Sequence, residues 1–325
     1  MKSKKYIVLL LAAMMMVSCH QTPKVALSTR ACASMPEGRA SACATVLDSK
    51  AYVFAGRDAK GTYRNELWQY DPKADGWLKV GNAPMKARVN ATMVAYEGTL
   101  YMGVGYSALK AYNDTAYQRD WWSFTPATGQ WKQLADFPNA NTVAPTSFVY
   151  DNKIYVIYGF GYGFTRNICI YDVATDSWQM LEDSSDRAKA CFGGAGLVKD
   201  GVLYFGTGFN TNNLTQWYAA DMRQDRWNEK SSIPGKGRQW CACADDDQYI
   251  YLFGGRYHAG DMTGGEVMDS YMRYLPAKDA WEWCGTMPCG RAENQIAFRI
   301  DGKVYFGLGE DENGNVLNGL YRIEE

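Results

Sequence analysis

Three residues recur along this chain at fixed distances, and their repetition limits the fold more than any other feature. A glycine stands at 56, 105, 159, 208, 255 and 309, with gaps of 49, 54, 49, 47 and 54 residues. Four residues before each is a tyrosine: Tyr52, Tyr101, Tyr155, Tyr204, Tyr251 and Tyr305. Eight before each is an acid: Asp48, Glu97, Asp151, Asp200, Asp247 and Asp301. Trp77, Trp131, Trp178, Trp227 and Trp281 mark the far end of five units. A period near 50 means that one supersecondary unit is copied and stacked, because such a unit cannot bury its apolar faces alone.

Each unit reads as four short strands. In the first unit residues 41–47 alternate small and apolar side chains, and 51–55 form a second strand. The acid-led dipeptides between them (Asp48-Ser49, Glu97-Gly98, Asp200-Gly201, Asp301-Gly302) signal two-residue hairpins, which require positive φ. Residues 67–70 form a third strand, and the turn at Asp71-Pro72 leads to a fourth around Trp77. Sheets apolar on both faces must stack, and radial stacking gives a propeller. The last unit has strands near 296–300, 304–308 and 319–323 and lacks a fourth. Residues 27–36 precede Arg39 as 78–84 precede Arg88, so the N-terminal stretch is expected to supply that strand and remove an open edge. The expected fold is therefore all-β: six blades of four antiparallel strands in a single domain over residues 27–325.

The glycine-ended second strand, the Y-D-P-K-A-D-G-W segment (70–77) and the F-G-G of Phe253 to Gly255 resemble kelch repeats. The Tyr/Trp pair seven apart recurs as Tyr70/Trp77, Phe124/Trp131, Tyr171/Trp178 and Tyr274/Trp281. Only the fifth unit keeps the double glycine, and the fourth has Ala220 where the aromatic belongs.

The chain opens with an address. Lys2, Lys4 and Lys5 precede an apolar run over residues 6–17, too short to span a bilayer and flanked as in a secretory signal. Ser18-Cys19 resembles the lipobox of bacterial lipoproteins, which implies acylation of Cys19. The expectation is a signal peptide over 1–18, a tether over 19–26, and a lipid-anchored protein on the periplasmic side of a bacterial envelope, at the outer membrane. Losing residues 1–18 removes three lysines and no acid, moving the formal charge from −1 to −4. With 34 basic against 35 acidic residues and no basic stripe, nucleic acid is set aside as a partner. A monomer is expected.

Loop length locates the candidate site. Tight turns share one face, and the loops from strand two to strand three share the other. From reference glycine to strand-three position the distances are 14, 19, 12, 12, 19 and 12, so blades two and five, opposite one another in a six-fold ring, carry the long loops. The first holds Tyr106, Lys110, Tyr112, Asn113 and Asp114; the second holds Arg256, Tyr257, His258 and Asp261. Arg57, Tyr106, Arg256 and Glu310 directly follow reference glycines and should rim the mouth, with Arg166 nearby. Taken singly, each of these reads as a solvated loop residue; the face as a whole reads as functional. The kelch resemblance further implies that Ser41, Asn90, Trp240 and Asn294 line the funnel, Trp240 either there or packed between blades.

Aromatics beside Arg and carboxylates suit a glycan or an envelope protein, so the expected role is a non-catalytic binding module. His20 and His258 are the only histidines, too few for the copper site of galactose-oxidase-like propellers, and the same shortage counts against a His-rich zinc site and a Ser-His-Asp triad. No metal or cofactor is expected. The alternative is a cofactor-free sialic acid mutarotase (N-acetylneuraminate epimerase), which the G-L-G-E segment ending at Glu310 resembles; Glu310, Arg57 and Arg256 would then carry the chemistry. Phe209 and Asn210 follow Gly208 in blade four, and the Glu–Arg pairing of that family is absent there. The eight cysteines after Cys19 fall mostly within strands, and zero to two disulfides are expected, Cys284 and Cys289 being the most accessible pair.

Overall fold

The computed structural model describes residues 22–107, 116–139, 142–161, 163–164, 166–182, 184–259 and 265–324. Six four-stranded antiparallel sheets follow one another round a central axis. Blade 1 runs Cys43–Leu47, Lys50–Phe54, Glu66–Asp71 and Gly76–Asn82, and blades 2 to 5 repeat this order. Blade 6 takes Ile296–Ile300, Lys303–Gly307 and Leu320–Glu324 from the end of the chain and Ser28–Cys32 from its beginning. The N-terminal strand pairs antiparallel with the last one, Ser28 opposite Glu324 and Cys32 opposite Leu320. The first strands touch in sequence, and that of blade 6 touches that of blade 1, so the disc is closed. Ahead of this strand, the stretch expected as a tether is laid along blade 5: the Val25 amide donates to Trp283 and the Trp283 amide to Pro23, each at 2.8 Å.

The recurring residues have separate physical duties. The acids open type I′ hairpins: Asp48/Ser49, Glu97/Gly98, Asp151/Asn152, Asp200/Gly201 and Asp301/Gly302 all have positive φ. Blade 5 departs from this, its Asp246 side chain accepting the Gln248 and Tyr249 amides at 2.7 Å. Five of the tyrosines are buried in the seams, and Tyr204 is half-buried. Each reference glycine holds φ between 86° and 99°. A Cβ at Gly309 would come 2.4 Å from the Glu293 carbonyl, which no side chain survives. Each glycine amide also donates to the next blade, to Arg88, Thr142, Cys191, Arg238, Ala292 and finally Arg39, at 2.7–3.3 Å. One hydrogen bond thus fastens every seam, including the closing one.

Alternate seams carry a second fastening. Tyr70 donates to Asp75 at 2.7 Å, Asp75 accepts the Ala33 amide at 2.8 Å, and the Trp77 indole donates to the Ala33 carbonyl at 2.8 Å. Tyr171, Asp176 and Trp178 hold Ala135 in the same way, and Tyr274, Asp279 and Trp281 hold Ser231. Phe124 and Ala220 lack the hydroxyl that starts this clamp, so the departures in the second and fourth units mark seams built differently. At the first of these seams Arg88, wholly buried, makes a two-pronged pair with Asp120 at 2.7 and 3.0 Å. The eight cysteines within the described residues are all free thiols, with Cys284 buried and Cys289 half-buried. Burial pushes the Cys43, Cys169, Cys191 and Cys284 thiols up to about 12, so they pack as small apolar groups.

Candidate functional site

A channel of about 230 Å³ runs along the axis, walled by the small residues that begin each first strand, among them Ala42, Ala91, Thr146, Gly194, Ala242 and Ala297. Its mouth is set by the six residues fifteen before the reference glycines: Ser41, Asn90, Ala144, Gly193, Trp240 and Asn294. All have φ between 48° and 63°. Their backbones join across blades, Asn90 to Ser41, Ala144 to Asn90, Trp240 to Gly193, Asn294 to Trp240 and Ser41 to Asn294, at 2.8–3.2 Å. The sequence reading named Ser41, Asn90, Trp240 and Asn294 and missed Ala144 and Gly193, which the same offset would have found. Gly193 leaves the space that Trp240 fills: a Cβ there would lie 2.7 Å from the indole ring.

Around this ring lies a wider one of twelve. In every blade the residue after the reference glycine pairs with the residue sixteen before it: Arg57 with Ala40, Tyr106 with Val89, Phe160 with Val143, Phe209 with Phe192, Arg256 with Gln239, Glu310 with Glu293. Two inner partners, Phe192 and Glu293, also reach the rim residue of the blade before. Phe192 lies against both Phe209 and Phe160, at 6.0 and 5.5 Å between ring centres. Glu293, paired beside Glu310, accepts from Arg256 Nε at 2.7 Å. Ala40, too small to intervene, lets Arg57 and Glu310 meet in a direct ion pair.

The mouth is consequently divided. One arc, on blades 5, 6 and 1, holds Arg256, Glu293, Glu310, Arg57 and Asn294, the last donating to Glu310 Oε1 at 2.9 Å. Burial, opposed by Arg57 and reinforced by Glu293, raises the Glu310 carboxyl above its ordinary range. The bonds to Glu293 hold the Arg256 guanidinium charged. The other arc, on blades 3, 4 and 5, holds Phe160, Phe164, Phe192, Phe209, Trp240 and His258. Trp240 sits 5.8 Å from Phe192 and 5.9 Å from His258, edge to face in both cases. Tyr106 bridges the arcs beside Tyr117, at 5.1 Å.

Arg57, Arg256, Glu310 and Asn294 are thus brought into one network, and Trp240 and His258 into one aromatic group. Tyr257 alternates away from Arg256 and packs beneath the Lys236 ammonium, 5.1 Å from its ring centre. Arg166 lies at the seam between blades 3 and 4, near Tyr158 and Tyr218, its carbonyl accepting from Arg187 at 2.9 Å. Tyr112, with Lys110, Asn113, Asp114, Asp261 and Cys19, falls outside the described residues. Phe160, Phe164, Phe192, Phe209, Gln239 and Glu293 were not among the site residues expected from the sequence, although the offsets +1 and −16 select all but Phe164. No group of three or more His, Cys, Asp or Glu suited to a metal exists among the described residues.

Six blades, glycine-fastened seams and a closing N-terminal strand define a kelch-type β-propeller with a divided polar and aromatic mouth. The family model of the KLHDC2/KLHL20/DRC7 Kelch-repeats domain matches residues 16–204, more than half of the chain, and the protein belongs to this kelch-repeat family. It is 23% identical to the putative protein tag-53 of Caenorhabditis elegans over 89% of this chain and 23% of that one. It is 22% identical to Kelch-like protein 35 of Mus musculus over 84% of this chain and 44% of that one. The chain spans less than half the length of these two relatives. It is also 23% identical to the N-acetylneuraminate epimerase of Escherichia coli O9:H4 (strain HS), over 74% of this chain and 80% of that one. The solved structure of YjhT superimposes with a TM-score of 0.75 at 14% identity, covering 90% of this chain and 99% of that one, which establishes the shared fold.

Proposed function

We propose that the protein is a non-catalytic binding module that holds a glycan at the divided mouth. The observation that carries this reading is the apposition of an aromatic arc, with Trp240 at its inner edge, to an arc of hydrogen-bonding carboxylates, guanidinium groups and Asn294. A sugar ring has the same division: a C–H face that stacks on aromatics and a hydroxyl edge that takes charge-assisted hydrogen bonds. A glycan array probed with the intact protein, and with Trp240→Ala and Phe209→Ala, tests it. Specific binding that both variants weaken at least tenfold is expected. An array without hits, alongside a protein captured through the same residues, would replace the glycan with a protein partner.

A second reading is favoured by one specific feature: Glu310, its carboxyl raised by burial, stands beside Arg57 and Asn294. In a cofactor-free mutarotase this group would move the proton of an anomeric hydroxyl while an Arg oriented the substrate carboxylate. The relatives named N-acetylneuraminate epimerase support it. NMR exchange of sialic acid anomers decides: acceleration that Glu310→Gln abolishes would make the protein an enzyme. For location, we infer acylation at Cys19 and a periplasmic, lipid-anchored site of action; metabolic labelling with an alkyne fatty acid, lost in Cys19→Ala, is the check.

A further inference from the structure

The stretch ahead of the closing strand is docked on the propeller. Residues 23–25 lie parallel to the outer strand of blade 5, Ala280–Thr286, with Lys24 opposite Trp283. Two main-chain bonds of 2.8 Å fix them there, from the Val25 amide to Trp283 and from the Trp283 amide to Pro23. The Leu27 carbonyl accepts from the Tyr271 hydroxyl at 3.4 Å, and Leu27 packs against the buried group that includes Tyr271, Cys284 and Ile323. Thr22 is half-buried in its turn. A flexible spacer makes no such ladder.

Direction follows from the pairing. Each outer strand starts at a tight turn and runs toward the mouth; in blade 5 that turn holds Pro276–Lys278. Residues 23–25 run the same way as Ala280–Thr286, so tracing them backward leads away from the mouth and toward the turn. The reach left is short. Cys19 lies three residues before Thr22, so covalent geometry holds their Cα atoms within about 11 Å. Glu282 and Asp279 are likewise three residues apart, so this reach ends level with the turn. The mouth lies at the far end of the seven-residue outer strand, roughly 23 Å along it.

We infer, on the basis of the acylation at Cys19 proposed above, that the docked segment orients the propeller on a lipid surface. The tight-turn face at blade 5 meets the bilayer, and the mouth opens away from it. The glycan is then one presented from beyond the bilayer, and the headgroup sugars of the anchoring membrane lie out of reach. Asp200 and Asp247, on the tight-turn face with side chains 86% exposed, offer anionic headgroups no attraction, so the tether alone sets this orientation.

Fluorophores carried on azidophenylalanine test it, placed at Lys278 in the tight turn or at Asn313, exposed in the blade-6 loop on the mouth face. The acylated protein is reconstituted into phosphatidylethanolamine and phosphatidylglycerol vesicles containing a nitroxide-headgroup lipid. Quenching at Lys278 is expected to be at least threefold that at Asn313. A Gly-Ser linker of about ten residues between Gln21 and Thr22, which extends the reach by roughly 17 Å, is expected to bring the ratio close to one. Equal quenching at the two sites with the natural tether, or stronger quenching at Asn313, overturns the inference. So does a ratio that survives the linker, because the docked tether would then not set it. Failure of the acylation reading shows separately, as a Cys19 that takes no fatty acid in metabolic labelling. The same two labels on chain 19–325, joined at residue 19 to a synthetic lipid, still decide the orientation in that case.

Discussion

The two arcs of the mouth are built on the same backbone and hold themselves together by opposite means. Every blade makes the same pairing between its rim residue and its inner partner, whether the pair is Phe209 with Phe192 or Glu310 with Glu293. The aromatic arc is self-sufficient: Phe192 touches Phe160, Phe164, Phe209 and Trp240, and its stability comes from apolar area withdrawn from water. The charged arc depends on correct partners. Glu293 is buried, and one neighbouring guanidinium offsets the cost of desolvating it. A scaffold that fixes only the main chain lets one pair of positions host either chemistry.

That difference is most exposed by removing a partner. Arg256→Met strands the Glu293 carboxylate in the seam, and breaking a buried pair of this kind costs about 3–5 kcal/mol. Urea denaturation should show a loss of that size, and the double variant Arg256→Met/Glu293→Gln should recover most of it. A single variant within about 1 kcal/mol of the parent would mean that the arc is not held by pairing. Phe192→Ala comes next. Full burial would make the loss about 3–5 kcal/mol, and a half-buried ring should lose roughly 2–3 kcal/mol. Phe192→Leu, which keeps most of the volume, should lose under about 1.5 kcal/mol. Equal losses for the two would imply a specific ring geometry in place of simple burial.

The scaffold was legible because its requirements are local. Gly309 cannot carry a Cβ, and five of the six acid-led turns need positive φ, so these types recur at fixed offsets whatever surrounds them. Closure by the N-terminal strand was legible too, because a missing fourth strand leaves an edge that something must cover. The mouth was legible in position but only partly in content. Arg57, Arg256 and Glu310 stand out as charges after a glycine, whereas Phe160 and Phe209 look like ordinary core. Gln239 and Glu293 carry no sign of their burial, which arises only when neighbouring blades close over them. Tyr257 misled because strand alternation turns it away from Arg256 toward Lys236. Ala40 is the reverse case: its smallness brings Arg57 to Glu310, and an absent side chain announces nothing.

The smallest effect should come from Glu310→Gln, and its sign with pH separates the arcs most cleanly. The Arg57 side chain is 27% exposed, so the ion pair itself contributes roughly 0–1 kcal/mol. Burial raises the Glu310 carboxyl above its ordinary 4.5 despite Arg57. Between that ordinary value and the raised one, the folded protein keeps a proton that the unfolded chain releases. Stability attributable to this group is therefore fully present below 4.5 and is lost as pH rises through the window. The glutamine variant has no such proton, so the parent should lose stability relative to Glu310→Gln as pH rises from about 4 to 7, read from paired urea midpoints. The parent and Phe192→Leu should differ by a constant amount over the same range, since no titrating group is exchanged. A Glu310 difference that grows in the parent's favour with rising pH would mean that Arg57 outweighs burial, and the charged arc would then be closed as firmly as the aromatic one.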